Sequence, residues 1–324
     1  MKHWQVVTGL SLLAVGLAAG CGTAGVSNTN SSGTGNGASG SGGTSGQYTV
    51  GFAVSTTNNP FFVAMENGVQ QEGQAKGVKV IVDNGNNDPS TQMNQVQDLI
   101  QQKVNVILLN PVSSQSLSSA VKAANQANIP VITLDRSVDS GKVACYIASN
   151  SVDAGKMAAQ QLIKALNGKG QVVELQGVMG TSAERDREKG FDQEISTAPG
   201  IQVVARQSAN FDRSTALNVM QNILQAHPHI QGVFAQNDEM ALGALKAIQQ
   251  SGKSGISLVG IDGEQEAVLD VQSGLMYADI AQQPTQEGKL GVDYALDAIK
   301  GKSIPTRVNS PLQLVTKGST FKGF

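Results

Sequence analysis

The chain has 324 residues, a formal net charge of −2 and only 15% charged side chains, against about a quarter in ordinary soluble proteins. Lys and Arg form no run or stripe, which argues against a nucleic-acid partner. There are only two cysteines, and one follows a targeting segment, so a disulfide framework is excluded as well.

The first twenty residues read as an export signal. Lys2 is followed by an apolar run from Val6 to Ala19, then by the small residues Ala18, Ala19 and Gly20. Thr8, Gly9 and Gly16 break that run, which is too short to cross a membrane as a helix. Leu17-Ala-Ala-Gly-Cys21 resembles the lipobox of bacterial lipoproteins, with Ala18 where the strongest examples carry Leu. The resemblance implies cleavage before Cys21, lipidation of Cys21, and attachment to the membrane through lipid alone. Residues 22–46 are Gly, Ser, Thr, Asn and Ala, with Val26 the one exception. Such a segment cannot bury enough apolar area to offset its ordering entropy, so it is expected to be a flexible tether. At about 5–6 Å times the square root of length, it reaches on the order of 25–30 Å.

From Tyr48 onward, short β-branched runs alternate with helical-period stretches. Strands are expected at 48–54, 78–82, 104–109, 130–134, 143–148, 171–175, 201–207, 231–235, 256–261, 275–281 and 312–316. Helices are expected at 60–76, 91–103, 113–127, 152–166, 183–197, 214–226, 238–251 and 285–300. Asp88-Pro89 opens one helix, and Gly77, Gly168, Gly252 and Gly301 close others. Strands this apolar are buried on both faces, which implies α/β architecture with doubly wound parallel sheets. About 300 residues after signal removal is the size at which chains divide, so two lobes are expected. The turn Asp139-Ser-Gly141 joins two strands without a helix and marks the end of the first lobe. Cys145, within Val143-Ala-Cys-Tyr-Ile147, reads as a small core residue.

Ligands of open parallel sheets bind outside the carboxyl ends of the strands, and the large polar and aromatic residues gather there. Asn58, Asn59, Phe61 and Phe62 follow the first strand, Asn110 the third, and Asp135 with Arg136 the fourth. In the second half the same position is held by Arg185 and Arg187, Phe211-Asp-Arg213, Asn237-Asp238, Asp262 and Gln282. Asn, Asp, Arg and Gln each bond two neighbouring oxygens, as vicinal hydroxyls require. Phe faces suit the C–H face of a sugar ring. Taken singly, Asp135-Arg136 also fits a strand-end ion pair, Phe61-Phe62 a helix core, Arg187 a solvated charge, and Asn237, Asp238 and Asp262 helix caps. Their common edge favours a binding cleft. No dinucleotide or P-loop motif occurs, and His227 and His229 have no third ligand nearby in sequence. Neither an enzyme, a cofactor nor a metal is expected.

The stretches STTNNPFFVAMENGVQ (55–70), NQANIPVITLDR (125–136), VVELQGVMGTSAERDREKGF (172–191), FDRSTALNVMQNILQAHPHIQGVFAQNDEMALGAL (211–245) and DIAQQPTQEGKLGV (279–292) resemble the D-ribose-binding proteins of ABC importers. The likeness runs from about 48 to 317. It implies a two-lobed periplasmic binding protein of type I, with a three-crossing hinge near 149–151, 282–284 and 309–312. The lobes would then be 47–149 with 283–311, and 150–282 with 312–324, preceded by the signal at 1–20 and the lipidated tether at 21–46. It implies sugar contacts at Asn59, Phe61, Phe62, Asn110, Asp135, Arg136, Arg187, Phe211, Asn237, Asp262 and Gln282. The family usually has Phe-Asp where this chain has Ile261-Asp262, which implies an aliphatic wall in place of an aromatic one. A monomer is expected to deliver a monosaccharide, D-ribose first, to an ABC permease. A chemoreceptor-linked sensor is the alternative, and a LacI-type regulator is disfavoured by the signal and uncharged tether.

Overall fold

The structure, a computed structural model, describes residues 47–324. The signal segment, Cys21 and the tether lie outside the described residues.

The chain first lays down β1 (Thr49–Val54), α1 (Pro60–Lys76), β2 (Lys79–Asn84), α2 (Pro89–Gln101), β3 (Val106–Leu109), α3 (Ser118–Gln126), β4 (Val131–Leu134) and β5 (Cys145–Ser149). It continues through α4 (Ser151–Ala165), β6 (Lys169–Gln176), α5 (Ser182–Ile195), β7 (Gly200–Ser208), α6 (Arg213–Ala226), β8 (Gly232–Ala235) and α7 (Asp238–Gln250). Then come β9 (Ser257–Asp262), α8 (Gln265–Ser273), β10 (Ala278–Ala281), α9 (Pro284–Ile299), β11 (Arg307–Ser310) and β12 (Gln313–Thr316).

These strands form two six-stranded sheets, ordered β11-β5-β4-β3-β1-β2 and β12-β10-β9-β8-β6-β7. Every pairing is parallel except that of β12 with β10. The expected architecture is present: two α/β lobes joined by three crossings, after β5, after β10 and after β11. Helix α9 returns to the first lobe and packs on α1, β3, β4 and β5.

Helix starts repeat one solution. Asn59, Asp88, Asn150, Thr181, Asp212 and Asn237 each accept an N–H of the first turn with the side chain. Pro60 and Pro89 stand in the first turns of α1 and α2. These caps follow strand ends directly, so polar groups and helix N-termini collect along the carboxyl edge of each sheet. Cys145 is fully buried in the first-lobe core, where burial pushes its thiol up to about 11.

Three features differ from the sequence reading. Helix α8 fills a stretch where no helix is expected. It is short, and only Ala267, Val268 and Val271 are buried, too few for a clear helical period. Strand β11 is likewise unexpected, because Arg-Val-Asn-Ser is a polar edge strand without the apolar signature of a central one. Finally, the C-terminal tail lies along the second lobe, where Phe321 packs on the core and its carbonyl accepts from Gln272 Nε2 at 2.9 Å, but its last side chain reaches the first lobe. Phe324 donates its N–H to Gly263 O at 3.2 Å, yet its ring lies 5.8 Å from that of Phe61. The half-buried Phe324 ring packs against the first-lobe core, which accounts for that reach.

Candidate functional site

Between the carboxyl edges of the two sheets lies a narrow cavity walled by polar and aromatic side chains. The first lobe lines it with Asn59, Phe61, Phe62, Asp135 and Arg136, the second with Ala183, Arg187, Phe211, Asn237 and Asp262.

The aromatic walls come from both lobes. Asn59 Oδ1 accepts the N–H of Phe61 at 2.8 Å, setting the first turn of α1. Phe61 and Phe62 then meet edge to face, with ring centroids 5.4 Å apart. Opposite them, Phe211 has a left-handed backbone (φ 55°). Its ring lies flat on Gly177, where a Cβ would come within 1.9 Å of it, so the close approach requires glycine. The guanidinium of Arg136 sits 4.9 Å from the Phe62 centroid and 5.2 Å from that of Phe211.

Two acid–guanidinium pairs supply the polarity. Asp135 Oδ2 lies 3.5 Å from Arg136 Nε, and Asp262 Oδ1 3.6 Å from Arg187 Nη2. Both aspartates have positive φ, 59° and 147°, the kind of strain that collects at binding sites. Burial raises both carboxyls above the ordinary aspartate value, opposed by the neighbouring arginines, and lowers Arg136. Asn237 caps α7 through Oδ1, which accepts the Met240 N–H at 3.0 Å. Its Nδ2, together with Arg136 Nε and Arg187 Nε, is buried without a hydrogen-bond partner. Buried donors are nearly always satisfied, so three orphans on the walls of one cavity mark a place for acceptor oxygens.

Two of the expected contacts stand one layer back. Asn110 does not line the cavity: its Nδ2 donates to Leu134 O at 3.1 Å and reaches Asp135 Oδ2 at 3.5 Å. Gln282 Nε2 donates to Asp262 Oδ1 at 2.9 Å. Each thus holds an aspartate that faces the cavity. The expectation of an aliphatic wall at Ile261 is corrected. Ile261 is fully buried among Ala154, Phe191 and Phe234 on the far side of the sheet and lines no part of the cavity. Alternation along β9 turns its side chain away from the site.

Other strand-end residues have different roles. Arg185 pairs with Asp139 at 2.9 Å on the surface, Arg213 with Glu239, Glu264 and Glu266, and Asn58 lines a neighbouring groove. Among the described residues, no group of three His, Cys, Asp or Glu could hold a metal. Sequence reasoning missed Ala183, although the capping-box pair Thr181 and Glu184 marks the turn that presents it. It also missed the inter-lobe latch. Ser182 accepts the Ser137 N–H at 3.0 Å and donates its own N–H to Ser114 Oγ at 3.0 Å, while Ser114 N–H reaches Gly180 O at 3.2 Å.

Residues 50–303 match the periplasmic binding protein domain family. The ribose import binding protein of Bacillus subtilis is 45% identical over 85% of this chain and 89% of its own length. That of Escherichia coli is 46% identical over 83% and 90%. A solved ABC-transporter solute-binding protein from Actinobacillus succinogenes, with bound D-allose, superposes with a TM-score of 0.79 at 30% identity, covering 84% of this chain and 98% of that one. The chain belongs to the periplasmic binding protein family.

Proposed function

We propose that this chain is an exported receptor that captures D-ribose between its lobes and delivers it to an ABC permease. The observation that carries the reading is the pairing of two acid–guanidinium couples with three Phe rings around one cavity between the lobes. Asp135 and Asp262 would accept from vicinal hydroxyls. Arg136, Arg187, Asn59 and Asn237 would donate to their oxygens, and Phe61, Phe62 and Phe211 would cover the C–H faces. Asn110 and Gln282 would hold the aspartates in place. The lobes, residues 47–149 with 283–311 and 150–282 with 312–324, would close on the sugar as a monomer. The part Cys21 would play is to keep that monomer at the outer face of the membrane by lipid.

D-allose is the nearest competitor, since it shares the hydroxyl configuration of ribose and adds one hydroxymethyl carbon. Identities of 45% and 46% to ribose import binding proteins, against 33% to the D-allose-binding protein of Escherichia coli, favour the pentose. Calorimetric titration with D-ribose, D-allose, xylitol and myo-inositol decides the matter. The expected result is tightest binding of ribose; binding of another sugar with no heat from ribose would replace the specificity, and no binding of any would overturn the function.

A further inference from the structure

Behind Asp262, the second lobe holds more buried acid than its cations can match. Asp238 and Asp279 are both fully buried. Asp279, on β10, is the register partner of Gly260 on β9, so its side chain stands on the face from which Gly260 projects none. Asp238 Oδ1 occupies that space from α7: a Cβ on Gly260 would lie 2.4 Å from it. The two carboxyls therefore share one pocket, within hydrogen-bond reach of each other.

Their remaining contacts are lopsided. Asp238 Oδ2 accepts the N–H groups of Gly263 at 2.9 Å and Glu264 at 2.8 Å. These are the two residues after Asp262, whose own φ of 147° needs such a hold. By contrast, Asp238 Oδ1 and both Asp279 oxygens have no well-aligned donor among the described residues, and the N–H groups of Ile280 and Gly263 reach Asp279 only loosely. Neither acid has an ion-pair partner there. The surrounding charges are committed elsewhere: Arg187 of α5 pairs with Asp262, and Arg213 of α6 with Glu239, Glu264 and Glu266. Two adjacent buried carboxylates without a cation cannot both stay ionised, whereas a proton between them satisfies both.

We propose that Asp238 and Asp279 share one proton and together position Asp262, so that ligand affinity is lost when that proton is. This rests on the reading of Asp262 as a sugar contact. Burial, with Asp262 adding repulsion, raises Asp279 to about 7 against the opposing hydrogen bond with Asp238, while burial and the charge of Asp279 raise Asp238 well above its ordinary value. For acids raised in this way, the protonated arrangement is complete at acidic pH and is lost as pH rises through the folded value. Loss of the proton sets two like charges against each other, and the Asp238 carboxylate that holds residues 263–264 is the one displaced. Asp135, Asp262 and Glu264 also lie close by and titrate upward, so the pair must be isolated by substitution.

The test is D-ribose titration of the wild type, Asp279→Asn and Asp238→Asn between pH 6 and 8.5. An amide replaces the protonated carboxyl in shape and hydrogen bonding but cannot ionise. The wild type is expected to lose affinity at least about tenfold across that range, since a required proton costs up to tenfold per pH unit above its pKa. Either amide variant that folds is expected to bind like wild type at pH 6 and to flatten the profile. A flat wild-type profile, or an unchanged slope in both variants, overturns the inference. The infrared carbonyl band of a buried protonated carboxyl, present at neutral pH and weakened in Asp279→Asn, reads the shared proton without any sugar. A wild type whose band weakens in Asp279→Asn but which binds no ribose retains the proton pair and fails the binding reading alone; a band unchanged by Asp279→Asn overturns the pair itself.

Discussion

Asp135 shows how much one side chain carries. Its N–H donates to Ile147 O at 2.9 Å, its carbonyl accepts from the Tyr146 hydroxyl at 2.9 Å, and its carboxyl meets Asn110 and Arg136. The backbone is pinned on both sides while φ stays at 59°, so the carboxyl is aimed by the fold and not by its own rotamer alone. Removing it strands Arg136 and Asn110 in a dry pocket, at about 1–3 kcal/mol and more where a charge is involved. Asp135→Ala is therefore expected to weaken ribose binding at least about tenfold, one decade per 1.4 kcal/mol. Calorimetry on the folded variant measures this, and near-wild-type affinity would remove Asp135 from the site.

At the scale of elements, the hinge has its own buried acid. Glu287, in the first turns of α9, lies fully buried between the ends of β5 and β11, and its Oε1 accepts from Ser149 Oγ at 3.4 Å. Ser310 at the end of β11 is the other hydroxyl facing it. Burial, with Asp135 adding repulsion, lifts its carboxyl well above the ordinary glutamate value, which favours a neutral acid in the hinge. Its contribution to stability is complete below the unfolded carboxylate range and declines as pH rises toward the folded value. Glu287→Gln is expected to match the wild-type melting temperature at pH 4 and to exceed it at pH 8. Equal pH dependence of both proteins in a thermal melt would count against the neutral acid. Much at this scale was legible in the sequence, and the exceptions have physical causes. Caps such as Asp88-Pro89 and the Gly77 stop act within a few residues, and buried parallel strands announce themselves by composition. Strand β11 and helix α8 bury too little to be seen that way. The site residues were legible because a strand end is a local feature. The facing of Ile261, and the meeting of Asp238 with Asp279, depend on pleat and register between strands distant in sequence, which no local pattern states.

For the whole molecule, the geometry bears on motion. Arg136 of the first lobe lies against Phe211 of the second, and Ser114 and Ser137 bond the loop and helix start at 180–182. Every one of these contacts crosses the cleft, so the structure is the closed form. The links are few and mostly polar, while only three chain segments connect the lobes. A ligand shifts an open–closed balance only through contacts that differ between the two states. A sugar held by Asp135 and Arg136 on one side and by Arg187 and Asp262 on the other has such contacts by construction. Saturating ribose is expected to reduce the radius of gyration in solution scattering, and Phe211→Ala to diminish that change more than it lowers the melting temperature. The anchor is tested on the full chain: Cys21→Ala is expected to release the protein from the membrane fraction while ribose still compacts it. Retention of the variant on membranes would reject lipidation. Scattering curves that coincide with and without saturating ribose would reject closure about the three crossings, even if affinity proved high, because tight binding to a rigid cleft leaves nothing for a permease to distinguish.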